Sequence, residues 1–315
     1  MFGNILKFFV GLAALCIVIV SSHAQERTKK HMRRPPVAHV REIPTPLPVD
    51  SLIKDSKFRG WDYLVQKLKE DKISDNVINA VYLSQKMPSL GYVPFSVAPR
   101  ESSQAYVHFK KASLITLTNK FLTDNKRVFD NEERQFGISR EVIAAILLIE
   151  THFGKVVGKE MVINRLSRLA SVGSPENLAY NLTEQQKKDP LVTFDQLAER
   201  AKYLESTFYP EVKATLEIAQ ARKISPLSIR GSSAGAFGMP QFLPSSYLRF
   251  GVDGNRDKVI SLFNVPDAIF STANFLKISG WSNSLQVSEK RKVIWLYNKS
   301  DAYVDAVLDV ANSVG

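Results

Sequence analysis

Ser139-Arg140-Glu141-Val142-Ile143-Ala144-Ala145-Ile146-Leu147-Leu148-Ile149-Glu150-Thr151-His152-Phe153-Gly154 is the stretch on which the fold turns. Ile143, Ile146, Leu147 and Glu150 recur at i, i+3, i+4 and i+7, the spacing of one face of an α-helix. Ser139 suits its N-terminal cap and Gly154 its close, since a hydroxyl can accept an early amide and glycine tolerates a left-handed turn. Glu150 is the anomaly, an ionisable group on an apolar stripe. Burial there disfavours the charged form, so the carboxyl would keep its proton nearer neutral pH, the state a general acid needs. On this feature alone a plainer reading stands beside it: a carboxylate at a helix end that reaches solvent or an arginine.

Outward from this helix the pattern stays helical. Apolar residues fall at helical spacing over 61–69 and 75–83, and 88–99 is a turn-rich interruption. The segment 105–136 reads as one long or broken amphipathic helix, with further helices over 193–207, 211–221, 267–279 and 293–311. Sustained alternation of β-branched residues is scarce and no internal repeat is present. The fold class is mainly α. The Ser/Gly/Asn/Gln-rich segment 164–190 reads as a surface excursion.

The 315 residues are 44% hydrophobic and 23% charged, which excludes wholesale disorder or a collagen-like chain and suffices for a sizeable core. The single cysteine, Cys16, excludes a disulfide framework or a multi-thiolate metal site within the chain. A net charge of +11 points to an acidic partner: nucleic acid, a membrane face or an anionic polymer. Residues 1–24 narrow that choice. Lys7, an apolar run over 8–20 and Ser22-His23-Ala24 have the form of a signal peptide, with a run too short to span a bilayer comfortably. Cleavage after Ala24 would leave a soluble exported protein. The alternatives are an uncleaved anchor and a lipoprotein at Cys16, where Leu15 is large for the position before a lipidated cysteine.

Residues 25–49 form a basic, proline-rich linker. Within 25–41, Arg27, Lys29, Lys30, Arg33, Arg34 and Arg41 face a single acid, Glu26, and Pro44, Pro46 and Pro48 then favour an extended chain. It reads as a solvated linker or as an electrostatic tether to an anionic envelope surface. Nucleic acid is not the expected partner, because that would need a folded basic face with stacking aromatics.

A second constellation runs from Gly231 to Tyr247: Gly231-Ser232-Ser233-Ala234-Gly235-Ala236-Phe237-Gly238-Met239-Pro240-Gln241-Phe242-Leu243-Pro244-Ser245-Ser246-Tyr247. Glycines permit tight turns and close backbone approach, while small hydroxyls, an amide and aromatic rings suit a sugar. No lysine stands in this run, so a phosphate-loop reading fails. A buried turn remains the plainer account.

Together these segments become recognisable. Ile149-Glu150-Thr151-His152-Phe153-Gly154-Lys155 and the run from Ser233 to Ser246 resemble the lytic murein transglycosylase B family. So do Val265-Pro266-Asp267-Ala268-Ile269 with Ala273-Asn274-Phe275 and Gly280-Trp281, and Tyr297-Asn298-Lys299-Ser300-Asp301-Ala302-Tyr303. The likeness runs in order over 105–311. It implies a lysozyme-like helical domain, with additional N-terminal helices and an EF-hand-like loop, occupying 50–315. It further implies cleavage of the β-1,4 bond between N-acetylmuramic acid and N-acetylglucosamine in peptidoglycan, with a 1,6-anhydromuramic product. Glu150 matches the family's catalytic carboxylate. Ser232 and Gln241 match polar groups that orient the sugar; Tyr203, Tyr297 and Asn298 match others lining the cleft, and Phe242 matches an aromatic of the same run. The implied setting is the periplasm of a Gram-negative bacterium, with a monomer acting on glycan strands. A hydrolysing muramidase and a non-catalytic peptidoglycan-binding protein are the alternatives.

The resemblance also implies a calcium-type loop at 253–264, with Asp253, Asn255, Asp257, Val259, Ser261 and Asn264 at the ligand positions. Lys258 takes the place of the sharp-turn glycine and Asn264 that of the acidic closing ligand. Both weaken a cation site, so a metal-free loop and no required cofactor are expected. Only 282–296 stands where longer members insert a small additional domain.

Overall fold

The computed structural model of the chain describes Pro46, residues 48–99 and residues 105–314. The signal segment with Cys16 and the basic tail 25–41 lie outside the described residues. Within them the chain is mainly helical, and its only regular strands are two residues long.

Three short helices come first: α1 (Val49–Lys54), α2 (Asp62–Glu70) and α3 (Asp75–Tyr82). After an extended segment and a 3-10 turn at Val107–Lys110 come α4 (Ala112–Asp124), α5 (Lys126–Gln135) and α6 (Arg140–Thr151). Strand β1 (Glu160–Met161) leads into α7 (Val162–Leu169), α8 (Pro175–Gln186) and the long α9 (Phe194–Ala221). Strand β2 (Arg230–Gly231) opens the glycine-rich loop, and α10 (Pro244–Phe250), α11 (Val265–Ile278), α12 (Val287–Tyr297) and α13 (Asp301–Ser313) complete the chain.

Helix α6 is the axis of the molecule. Val142 to Ile149 are all buried, so the helix is covered all round and not on one stripe only. α13, α4 and α11 pack against it. Its N-terminal end is fixed by Arg140, whose guanidinium bonds Glu133 and Asp130 of α5 at 2.5 and 3.0 Å. Its C-terminal end closes earlier than Gly154 suggests. The last helical residue is Thr151, and His152, Phe153 and Gly154 follow with φ of 51, 57 and 84°. Left-handed backbone at two non-glycine residues is costly and turns the chain sharply here.

The stretch 105–136 takes the broken of its two expected forms, whereas the patterns at 293–311, 193–221 and 164–190 are corrected. The 293–311 pattern is two helices, α12 and α13, parted where Asn298 and Ser300 have extended backbone. The stretch 105–136 is a 3-10 turn and two helices, broken at Asn125. Its side-chain amide donates to the Phe121 carbonyl at 2.9 Å, competing with the continuing backbone ladder. The patterns at 193–207 and 211–221 form one helix, α9, which starts at a Thr193–Gln196 capping box and continues through Pro210. The segment 164–190 is no surface excursion but carries α7 and α8, with Asn177 and Asn181 buried.

Those asparagines hold the extended segment before the 3-10 turn. Asn177 Oδ1 accepts the Val93 amide at 2.7 Å and Asn181 Oδ1 accepts the Phe95 amide at 3.0 Å. Asn181 Nδ2 and Gln185 Nε2 donate back to the Val93 and Phe95 carbonyls at 3.1 and 2.7 Å. Four helical residues rise about 6 Å and two extended residues about 6.6 Å, so amides at every fourth helical position meet every second residue of the extended segment. This clasp joins the N-terminal helices to the body.

Candidate active site

The site forms where the end of α6 meets the glycine-rich loop and the α12–α13 junction. The loop is anchored at both ends. At its start, β1 and β2 pair antiparallel with Glu160 opposite Gly231. At its finish, buried Glu211 of α9 accepts the Ser245 amide and hydroxyl at 2.8 and 2.5 Å, satisfying the start of α10. Between these ends, Phe237 and Phe242 exchange backbone hydrogen bonds at 2.9 and 3.1 Å. Met239 N donates to the Leu262 carbonyl at 2.8 Å, and Thr151 Oγ1 donates to the Met239 carbonyl at 2.8 Å. The last bond ties the loop to the residue beside Glu150. Gly235 is required sterically: its φ is 86° and a Cβ there would sit 2.4 Å from Leu166 Cδ2.

A cavity of about 220 Å³ opens at this junction, lined by Glu150, Gln241, Phe242, Phe275, Tyr297 and Asn298 among others. Glu150 is the single carboxylate among the described residues that line it. Tyr303 of α13 donates its phenolic proton to Glu150 Oε1 at 2.8 Å, while Oε2 is buried with no hydrogen-bond partner. Burial pushes the carboxyl up to about 8, and the Tyr303 hydrogen bond works in the opposite direction. The acid is therefore protonated at neutral pH. Because Oε1 accepts the phenol, the proton belongs on Oε2, the oxygen with nothing else to do.

Aromatic rings enclose this carboxyl. Tyr297 and Tyr303 stack with centroids 6.3 Å apart and 10° between planes, and Tyr106 meets Tyr303 edge-on at 5.7 Å. Phe275 packs on Tyr297 at 4.7 Å, and Phe242 lies 5.9 Å from Tyr297. Tyr297 donates to the Pro240 carbonyl at 2.6 Å, fixing the ring across the loop. Burial first, and the nearby Glu150 charge second, hold the Tyr297 and Tyr303 phenols well above their usual range. Neither phenol ionises while Glu150 titrates. The apolar walls keep water from stabilising the carboxylate, which is why its proton is held so high.

The sequence-derived residues divide accordingly. Glu150, Gln241, Phe242, Tyr297 and Asn298 share the cavity. Gln241, at φ 50°, donates Nε2 to the Gly238 carbonyl at 2.9 Å and to Val157 at 3.3 Å, bracing the loop from inside. Ser232 does not line the cavity. It is buried, and its Oγ accepts the Ala236 amide at 3.2 Å, closing the turn beneath. Tyr203 is also elsewhere. One turn along α9 from Arg200, it lies under that guanidinium, 5.3 Å from ring centre to Cζ, and Arg200 Nε donates to the Ser96 carbonyl at 3.3 Å. This part of α9 faces the extended N-terminal segment. Tyr303 and Phe275, not singled out from sequence as site residues, stand at the carboxyl and in the cavity wall. The six-residue interval from Tyr297 to Tyr303, with Ser300 capping α13 through the Tyr303 amide at 3.2 Å, is the signal that marks the first.

The 253–264 loop is knitted by its own amides. Asp253 accepts Asp257 N and Lys258 N at 3.1 and 2.7 Å, Asn255 Oδ1 accepts Asp257 N at 3.0 Å, and Asp257 accepts Val259 N at 2.8 Å. Ser261 gives its amide to Asp267 at 2.6 Å, and Asn264 caps α11 by accepting Asp267 N at 2.9 Å. Lys258 adopts φ 70° in the place of the turn glycine. Asp267, which the sequence offers only as part of a motif, is wholly buried and gathers Gly254, Ser261 and Asn264 around its carboxylate. Among the described residues no group of three or more His, Cys, Asp or Glu side chains is placed to hold a metal ion.

A proton-bearing carboxyl at the end of a core helix, beside an anchored glycine-rich loop, defines a site built around one acid in a mainly helical fold. A sequence profile of the transglycosylase SLT domain matches residues 59–290, and the chain belongs to that family. Membrane-bound lytic murein transglycosylase B of Escherichia coli (strain K12) is 33% identical over 239 residues. The match takes in 73% of this chain but only 56% of that protein's length. In fold, the chain is similar to Escherichia coli lytic transglycosylase SLT35 in complex with calcium. The TM-score is 0.52 at 20% identity, over 84% of this chain and 90% of that one. It is likewise similar to SltB3 from Pseudomonas aeruginosa in complex with NAG-anhNAM-pentapeptide, with a TM-score of 0.57 at 19% identity, over 81% and 79%. Calcium accompanies SLT35; in this chain the side-chain oxygens of Asp253, Asn255 and Asp257 accept the loop's own amides.

Proposed function

We propose that this protein is a peptidoglycan lytic transglycosylase, cleaving the bond between N-acetylmuramic acid and N-acetylglucosamine without water. The observation that carries the reading is a single carboxyl in the cavity, protonated at neutral pH and enclosed by aromatic walls. A hydrolase of the two-carboxylate kind needs a second acid to activate water or to act as nucleophile, and among the described residues no other acid lines this cavity.

In the proposed reaction, the protonated Glu150 carboxyl gives its proton to the glycosidic oxygen as the C1–O bond breaks, and the sugar's own 2-acetamido group stabilises the positive charge at C1. The Glu150 carboxylate, held through Oε1 by Tyr303, then takes the proton from the muramyl C6 hydroxyl. That oxygen closes onto C1, giving the 1,6-anhydro ring and returning the carboxyl to its starting state. One residue serves as acid and then base because its required protonation state reverses between steps. No cofactor is needed in this scheme. Tyr297, Asn298, Gln241 and Phe242 shape the sugar pocket, while Ser232 acts beneath it by holding the turn.

The same reading places the protein in the periplasm of a Gram-negative bacterium after removal of residues 1–24, acting as a monomer on glycan strands. The basic tail 25–41 would add electrostatic contact with an anionic envelope. The chain's membership of the family and its signal-like N-terminus support this setting. The test is mass spectrometry of purified sacculi digested with wild type and Glu150→Gln. Anhydromuramic ends from wild type, and their loss in the variant, are expected. Reducing ends in their place would overturn the transglycosylase reading, and an active variant would overturn the role of Glu150.

A further inference from the structure

Helices α12 and α13 are joined by three residues, Asn298, Lys299 and Ser300. Asn298 and Ser300 have extended backbone (φ −143° and −138°, ψ 121° and 122°) and are buried. Extended backbone sends alternate side chains to opposite sides, so burial of 298 and 300 directs Lys299 outward. It comes out at the cavity holding Glu150, which Leu296, Asn298 and Lys299 all line. The Lys299 ammonium lies 5.7 Å from the centre of the Trp295 ring, on a side chain 36% exposed. Asp301, the carboxylate nearest in sequence, is paired instead with Arg291 at 3.6 Å. A cation leaning on an indole at the rim, with the neighbouring acid drawn away, is arranged to meet an anion arriving from outside.

We infer that Lys299, steadied by Trp295, is a specificity residue that binds a carboxylate of the glycan strand beside the bond being cut. The inference rests on the reading of Glu150 as the acid that cuts a glycan. Two sources offer that carboxylate. In a strand stripped of its peptides it is the lactyl group of muramic acid itself; in a peptide-bearing strand the lactyl group is an amide and the carboxylates belong to the stem. The pairing is at an exposed rim, so its effect is modest and falls as salt rises.

The experiment compares wild type, Lys299→Met and Lys299→Arg on peptide-bearing strands and on amidase-stripped strands. Each substrate is used as prepared and after its carboxylates have been converted to amides, and anhydromuramic product is measured at low and high salt. Lys299→Met is expected to raise KM roughly threefold to fivefold on one strand type, with kcat little changed. Lys299→Arg should restore the wild-type KM, and amidation of that substrate should erase the difference. The strand type affected identifies the source. Equal KM for wild type and Lys299→Met on both untreated substrates overturns the proposal, as does a loss that persists on amidated strands. Wild type making no anhydromuramic product would instead sink the underlying reading, so the two failures are distinguishable.

Discussion

Replacing Tyr303 by phenylalanine removes one oxygen and tests how the site sets its acid. The phenol donates to Glu150 Oε1 at 2.8 Å and lowers the carboxyl against the upward push of burial, which leaves it at about 8. A hydrogen bond to a neutral acceptor contributes roughly 0.5–1.5 kcal/mol net, and one to a charged acceptor roughly 1.5–3 kcal/mol. The phenol therefore favours the ionised carboxyl by about 1.4 kcal/mol, equivalent to one pH unit. Tyr303→Phe should move the alkaline limb of the pH–activity profile upward by about one pH unit. Glu150 ionises as it gives up its proton in the transition state, so kcat should fall by up to roughly tenfold. The assay is release of anhydromuramic products from sacculi across pH 5–10, with thermal unfolding as a control for folding. An alkaline limb that stays in place or moves down would refute the argument, because no structural loss alone shifts it upward.

Two further changes follow from the packing. Glu132 of α5 is fully buried, and burial pushes it to about 8 against the lowering effect of the Ile138 backbone amide. Between the ordinary carboxyl range and pH 8 the native protein keeps a proton that the unfolded chain has released, so stability falls as pH rises through that window. Glu132→Gln should reduce this fall by up to roughly 1.4 kcal/mol per pH unit, read from urea unfolding at pH 5, 6 and 7; an unchanged slope would count against a buried, protonated Glu132. Gly235→Ala places a Cβ against Leu166 at left-handed backbone and should lower stability by on the order of 2 kcal/mol together with activity. An alanine variant with wild-type melting and activity would show that the loop can shift without disturbing the site.

Much of the site was legible because its signals are local. The periodicity of 139–154 placed Glu150 on a buried helix, and Gln241, Phe242, Tyr297 and Asn298 sit in motifs that keep their neighbours fixed. What escaped depends on contacts between distant segments. Ser232 and Ala236 close a turn whose inner side is not evident from a run of small residues. Tyr203 is matched to the cleft through the family resemblance, yet its direction depends on where α9 crosses the 93–97 segment, 104 residues before Arg200 at the Ser96 contact. The polar stretch 164–190 looked like surface because asparagine usually is surface. Its amides are instead spent on another segment's backbone, and composition does not show that difference.

That clasp carries a consequence for how the sequence can vary. Asn177, Asn181 and Gln185 grip the amides and carbonyls of Val93 and Phe95, groups that almost every residue possesses. Pro94 sits between them, at the position whose missing N–H is not called on. The attachment therefore leaves the side chains at 93 and 95 open to change by their packing alone, whereas the gripping residues on α8 have no such freedom. A proline at 93 or 95 is the substitution it would not tolerate: moving Pro94 by one place in either direction keeps the composition and unfastens the segment.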